Sequence, residues 1–468
     1  MDPVAPDFAA SACRGEWQPH PPAGMLSAIG VDSRTVARGS LFFALPGARA
    51  DGHDFLADVV AAGAHAVLRA DYPVDKLPTG GHFLRVDNVL DALGRFAAAY
   101  RATLPTRMVG VTGSVGKTST KEIIADLLCT LGKTGRTVGN YNNEIGLPLS
   151  VAALDRECRF GVIEAGISHP GELAHLRDIL RPDMAVITRI GPVHAEFFDS
   201  VRDIAEEKAT LLTALPADGF AVLDRDDEFF PMLRARCSAP VITCSLRRRE
   251  VDYAGDLQED DQLWVCEAAT GETAMLPVPP PASYMAENVL RAVAVARRCG
   301  ATWPAIAAAL AQVKPVGMRW AVSEWQDITI INDAYNANPI SVRAAVQAFA
   351  AWPVRGQRFL AIGPMLELGR LEATEHEALG RHLATGQWAG IVLVPWKIHV
   401  GAPDPATQAL AAGLQAGGWP AEKMCLAPDA AAAATWLQGR CRAGDALLLK
   451  ASRGVRIETV LTHWQKES

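Results

Sequence analysis

Between Met108 and Ile124 the chain reads MVGVTGSVGKTSTKEII, and this stretch limits the fold most tightly. "RMVGV" is an apolar run of buried-strand type. "STKEIIADLLCTLG" puts Ile123, Ile124, Leu127 and Leu128 on one helical face. Thr112, Gly113, Ser114, Val115, Gly116, Lys117 and Thr118 form the turn between them, and Ser119 opens the helix. Glycines let backbone N–H groups approach phosphate oxygens, and a helix N-terminus offers unpaired donors to an anion. Lys117 is placed to reach terminal phosphates and the Thr118 hydroxyl to ligate Mg²⁺. The common G-x-x-x-x-G-K-[ST] spacing asks for glycine at position 111, where Val111 stands, so the loop is a shortened one. No N-K-x-D guanine-reading motif occurs, and a protein kinase needs a different motif set.

Short β-like runs alternate with Ala/Leu-rich helical stretches, which predicts an α/β fold with mainly parallel sheets. A chain of 468 residues exceeds one ordinary core, and about three domains are expected. Breaks at "RATLPTR" and "VKPVGMRW" divide it into 27–104, 105–314 and 315–468. The first 26 residues are Pro-rich, lack a basic start followed by an apolar run, and read as a loose lead-in. The mean hydropathy of +0.10 comes from alanine-rich helices. No run of 18 apolar residues predicts membrane insertion. A net charge of −7 argues against a nucleic-acid partner, and the patch Arg247–Arg249 reads as a solvated loop. Nine scattered cysteines without C-x-x-C predict reduced thiols and a cytoplasmic setting.

"CRFGVIEAG" ends its apolar run at Glu164, and "MAVITRIGPVH" leads to His194. Residues just beyond the carboxyl ends of parallel strands face the ligand crevice, so both can reach the phosphate side. Each also has a plain alternative, a helix-capping carboxylate or a loop histidine. In "SVRDIAEEKATLLTAL" a single helix would align Ile204, Lys208, Leu211, Leu212 and Leu215. A lysine on an apolar stripe must snorkel, pair or lose its charge. The sharper reading is a carbamate on Lys208, which turns a cation into an anionic metal ligand.

The series "TGSVGKT", "GNYNNEIGLP", "EAG…GEL", "IGPVH" and a helical lysine resembles the ATP-dependent Mur ligases, in particular their MurF branch. "DSRTVARGSLFFALPGARADGHDF" is similar to the family's UDP-binding motif, and "NDAYNANPISVRAAV" and "IGPMLELG" are similar to MurF. The resemblance covers roughly residues 27 to 460 in the family's order. It implies an N-terminal UDP-binding α/β domain, a central P-loop ATPase domain and a C-terminal Rossmann-like domain closing over ATP. The reaction it implies adds D-Ala-D-Ala to a UDP-N-acetylmuramoyl-tripeptide through an acyl phosphate, using ATP and two Mg²⁺ ions, in a monomer. Carried onto this sequence, it assigns the β- and γ-phosphates to Lys117 and the loop amides. The first Mg²⁺ goes to Thr118 and Glu164, and the second to His194 and the Lys208 carbamate. Asn288 falls at the adenine contact and Arg319 at the nucleotide, with Asp333 and Tyr335 in the stretch closing over ATP. Ser33, Arg34 and the loop of Asp51, Gly52 and His53 fall at the UDP moiety. Asn142 and Asn143 fall near the sugar-peptide, and Asn336 and Asn338 also fall with the substrate.

The sequence departs from the family pattern at Ser168, at Thr210, at Tyr284–Glu287 and at Pro364, which replaces an aspartate. Ser168 and Pro364 lie in motifs near the peptide and amino-acid side. A relative joining a different amine or peptide is the alternative reading.

Overall fold

The computed structural model describes residues 1–47, 50–396 and 404–466; residues 48–49 of the UDP-like motif and 397–403 of the third unit lie outside them. Three separate sheets carry the described chain. The first has five strands in the order Glu16–Gln18, Phe83–Val86, His65–Arg69, Ser40–Phe43, Ala28–Gly30, all parallel except the first. The third has six: Ala321–Trp325 lies antiparallel on Ile328–Asn332, followed in parallel by Ala446–Lys450, Arg358–Ile362, Gly390–Leu393 and Met424–Leu426.

The central sheet of nine strands positions the site. Arg107–Thr112 lies between Phe160–Glu164 and Met184–Ile187, both parallel to it. The chain crosses to one side of this strand and then to the other, which makes its carboxyl end a topological switch point, where open α/β sheets bind ligands. The turn after Thr112, Glu164 and the segment after Ile187 all emerge there. Its far edge, Gln262–Glu267 and Thr273–Pro277, is an antiparallel extension.

The first 26 residues are not a loose lead-in. Pro6–Cys13 is a helix with Ala9 and Cys13 fully buried, Glu16–Gln18 pairs with Phe83–Val86, and Val4 and Leu26 exchange backbone bonds of 2.9 and 2.8 Å. An eight-residue helix is too short for its periodicity to stand out and depends on tertiary packing. The stripe holding Lys208 also differs from expectation. Val201–Ala209 is α-helical, but Thr210–Ala214 tightens to 3₁₀, where the Thr213 hydroxyl donates to the Thr210 carbonyl at 2.9 Å. Ile204, Lys208, Leu211, Leu212 and Leu215 are nevertheless all buried.

The three bodies are joined unequally. One apolar cluster runs from Ala9 through Leu93 and Leu147 to Ala239, so the first sheet and one face of the central sheet share a core. Buried polar groups seal that junction. The Tyr100 hydroxyl donates to the Leu154 carbonyl at 2.8 Å and accepts the Asp2 N–H at 2.7 Å. Arg101 donates to the Leu180 carbonyl and pairs with Asp183 at 3.1 Å. The third sheet instead has clusters of its own on both faces, all of whose buried members lie at or beyond Trp320. A body with a self-contained core can move as a unit.

Within that third body, His376 is fully buried and holds the turn at Pro364–Leu366. Its Nε2 accepts the Met365 N–H at 2.9 Å, so its proton sits on Nδ1, which donates to the Glu372 carbonyl at 2.6 Å. Burial lowers the His376 pKa from the ordinary 6.5, against the Glu372 carbonyl and the charges of Asp404 and Glu375.

Two outcomes follow. Tyr100→Phe strands the buried Leu154 carbonyl and should cost about 1–3 kcal/mol, read as a lower urea midpoint. For His376 the folded pKa lies below the unfolded one, so the unfolded chain takes the proton first. Its contribution to stability is present above about pH 6.5 and is lost as pH falls through that value towards the folded pKa. Denaturation midpoints measured against pH should show this slope, and His376→Gln should flatten it.

Candidate active site

The turn Thr112–Lys117 can form because glycine stands at two points of close approach. A Cβ on Gly113, at φ +146°, would lie 1.9 Å from Thr188 Oγ1, and one on Gly116, at φ +87°, 2.6 Å from Asn288 Oδ1. The turn is then clamped to the segment after Ile187. Ser114 N–H donates to the Arg189 carbonyl at 2.8 Å, and the Ser114 hydroxyl donates to the Gly191 carbonyl at 2.9 Å while accepting its N–H at 3.0 Å. Val115 bridges to Arg189. The helix Lys117–Cys129 begins at the end of the turn, slightly earlier than the sequence pattern suggests.

Lys117 folds back over this turn, and its Nζ donates to the carbonyls of Gly113 at 2.7 Å and Ser114 at 3.3 Å. Burial pushes its pKa down; Glu164 acts against that shift and Arg319 adds to it. Thr118 and Glu164 stand side by side, with the hydroxyl donating to Glu164 Oε2 at 2.8 Å. Glu164 is 2% exposed, and its other oxygen accepts from Asn142 Nδ2 at 2.7 Å. Asn142 thus orients the carboxylate, whereas the Asn143 side chain accepts from Gly146 N–H at 2.9 Å and shapes the start of the next helix.

Lys208 is 2% exposed. Burial drives its pKa well below the ordinary lysine value, nearby Lys117 pushes the same way, and Glu207 opposes them. No hydrogen bond or ion pair of its Nζ offsets this among the described residues. Such a lysine is poorly tolerated as an ammonium.

From the third unit, Arg319 lies over the Tyr335 ring at 3.6 Å and donates to Thr118 Oγ1 at 3.0 Å, which brings it to the mouth of the turn. Asp333 accepts the Trp320 N–H at 3.0 Å and pairs with the buried Lys450 at 2.9 Å. Lys450 also donates to the carbonyls of Asp333 at 3.0 Å and Asn336 at 2.6 Å. Asn338 caps the helix Pro339–Ala351 in a reciprocal box with Ser341. Asn288 is turned towards the loop and accepts from Thr120 Oγ1 at 3.1 Å. A narrow cleft between the units is lined by Ser119, Tyr284, Lys314, Arg319 and Trp320.

In the first unit the picture is mixed. Arg34 is highly exposed and pairs with Asp32 at 2.6 Å, holding that carboxyl down to about 2; Ser33 lies beside them, half-buried. His53 is buried and accepts the Arg69 N–H on Nε2 at 3.2 Å, so its Nδ1 donates to Asp51 at 2.6 Å. With both nitrogens engaged, His53 shapes the loop. Gly52 packs so closely that a Cβ would meet the Leu45 backbone at 2.8 Å.

Sequence reasoning missed Lys450 and Glu367. Lys450 ends the apolar strand "ALLLK" as Glu164 ends "FGVIE", and the same carboxyl-end rule would have found it. Glu367 sits inside "IGPMLELG", but only its contact with His194 Nδ1, at 2.5 Å, marks it. No three His, Cys, Asp or Glu side chains gather in metal-holding geometry among the described residues. A cation here would depend on the Thr118 hydroxyl, ligand oxygens or a modified lysine as well.

Three known families match the chain in order: Mur ligase family, catalytic domain, over 26–101; Mur ligase middle domain, over 111–296; and Mur ligase, glutamate ligase domain, over 318–453. The UDP-N-acetylmuramoyl-tripeptide–D-alanyl-D-alanine ligase of Synechocystis sp. is 33% identical over 443 residues, covering 94% of this chain and 92% of that one. The protein of the same name from Mycobacterium tuberculosis is 34% identical over 478 residues, covering 92% and 91%. A crystal structure of MurF from Acinetobacter baumannii superposes with a TM-score of 0.86 at 27% identity, over 100% of this chain and 99% of that chain. MurF ligase from Thermotoga maritima in complex with ADP gives 0.79 at 28% identity, over 94% and 98%. With its three-sheet α/β fold, its phosphate turn and these relatives along nearly its whole length, this chain belongs to the Mur ligase family.

Proposed function

We propose that this chain is an ATP-dependent, ADP-forming carboxylate–amine ligase that adds D-Ala-D-Ala to a UDP-N-acetylmuramoyl-tripeptide in peptidoglycan precursor synthesis. The observation that carries the reading is the agreement of relatives so named, over 94% and 92% of the chain, with an intact phosphate turn at the switch point of its central sheet. Units 27–104, 105–314 and 315–468 would hold the UDP moiety, hold ATP, and close over ATP with the incoming amine. No helix among the described residues is long and apolar enough to cross a membrane. A cytoplasmic monomer acting on small molecules is the corresponding proposal.

Lys117, released from the carbonyls of Gly113 and Ser114, would bind the β- and γ-phosphates with the amides of the turn. Asn288, Arg319, Asp333 and Tyr335 would border the nucleotide. Ser33, Arg34 and the Asp51–His53 loop would border the UDP moiety, with Asn142, Asn143, Asn336 and Asn338 towards the remaining substrate. Thr118 and Glu164 are adjacent hard oxygen donors and suit Mg²⁺. As an ammonium Lys208 does not suit a metal; as a carbamate it does, and only the neutral amine favoured by its burial reacts with CO₂. Thr118 and Glu164 would hold one ion, and His194 and carbamylated Lys208 the other. Bound there, the two ions would offset the repulsion between phosphate and carboxylate. The γ-phosphoryl group passes to the substrate carboxylate, the amine attacks the acyl phosphate, and phosphate leaves. Arg319 and the third unit would exclude water, which otherwise hydrolyses that intermediate.

Pro364 favours a second reading, a ligase for another amine, because it replaces the family's aspartate in the turn held by His376.

Phosphate release from ATP and Mg²⁺ should require both the UDP-muramoyl tripeptide and D-Ala-D-Ala, and mass spectrometry should find a product heavier by one dipeptide unit. Release indifferent to D-Ala-D-Ala would move the assignment to another amine. Lys208→Ala should lower turnover by about 100-fold, and added short carboxylates should restore part of it. Unchanged activity in that variant would overturn the carbamate.

A further inference from the structure

Two non-glycine residues with left-handed backbones meet across the boundary between the central and third units, His194 at φ 57° and Glu367 at φ 64°. Such backbones persist where the surroundings over-determine them. Here the surroundings are contacts between the units. Glu367 Oε2 lies 2.5 Å from His194 Nδ1, and the Glu367 carbonyl accepts the Glu196 N–H at 3.1 Å. Two residues on, a Cβ added to Gly369 would lie 2.8 Å from the Glu196 Cα. The turn before Glu367 is tied to its own unit. Met365 N–H donates to His376, Leu366 N–H donates to the Ser452 hydroxyl at 2.9 Å, and the Pro364 carbonyl accepts the Ser452 N–H at 3.1 Å.

As a partly exposed contact, Glu367 and His194 contribute little to stability. The consequence lies in the position of a proton. An ionised carboxylate can only accept, so Nδ1 must carry the hydrogen, and Nε2 is left with the lone pair. We propose that Glu367 is a positioning residue that sets the tautomer and ring orientation of His194 when the third unit docks. Docking and readying of His194 are then a single event. A metal-binding histidine commonly donates its other N–H to a carboxylate; in this chain the carboxylate comes from another unit, 173 residues away. The segment bearing His194 also carries Gly191, which Ser114 clamps to the phosphate turn and against which Ile340 of the third unit packs. The contact therefore connects docking to the phosphate site. The inference rests on the proposed role of His194, but its first test does not need that role.

The test uses the full chain with ¹⁵N-labelled histidine in mildly alkaline buffer. The His194 signal should report Nδ1–H in the unaltered protein and in Glu367→Gln, whose amide oxygen still accepts. It should report Nε2–H in Glu367→Ala. This reading needs no substrate, so failure of the ligase assignment would leave it standing. In turnover, Glu367→Ala should lower kcat about 10–100-fold with little change in the KM for ATP, and Glu367→Gln should recover most of the loss. An Nδ1–H signal persisting in Glu367→Ala, or an unchanged kcat in that variant, would overturn the proposal.

Discussion

The site depends on how closely two backbones approach at the end of the central strand. Gly113 passes Thr188 at a distance that leaves no room for a side chain, and the reciprocal bonds between Ser114 and Gly191 hold the two segments together. A bulkier residue at position 113 would push the segments apart, and the segment leading to His194 would lose its register against the turn. Lys117 and Thr118 on one side, and the segment leading to His194 on the other, take their places from that one contact.

Around the turn the protein gathers charge that it does not fully neutralise. Lys117 lies near enough to Lys208 to depress its protonation, while Glu164 supplies the opposing charge beside Thr118 and raises the Lys117 pKa against its burial. Farther out, the buried Lys450 has Asp333 as a partner and two backbone carbonyls, and forms a satisfied network. Lys208 has no such network. Buried charge that is well paired reads as architecture, and buried charge that is not reads as chemistry.

Motion and rigidity are divided between the two junctions. The first unit shares an apolar core with the central sheet and is pinned by Tyr100 and Arg101. The third unit keeps clusters of its own and meets the site through separate contacts, Arg319 on Thr118, Glu367 on His194 and Ile340 against Gly191. Contacts of this kind are made and broken at low cost, which suits the proposed closing of the third unit over a nucleotide.

Local chemistry determined what could be read from the sequence alone. The phosphate turn was legible because glycine, lysine and threonine must stand in a fixed order between a buried strand and a helix. Glu164 and His194 stood out because they follow apolar strands at their carboxyl ends, and Lys208 because a lysine on an apolar stripe is costly unless it pairs or loses its charge. The α/β class followed from alternating periodicities. Other features were decided only by tertiary structure. The helix Pro6–Cys13 is too short to announce itself and exists through packing on Val89–Arg101. His53 became an internal brace because the Arg69 N–H reaches it from the end of the strand His65–Arg69. The meeting of His194 with Glu367 spans 173 residues and two units. No spacing along the chain encodes such a pair, because it is created by the docking of separately folded bodies.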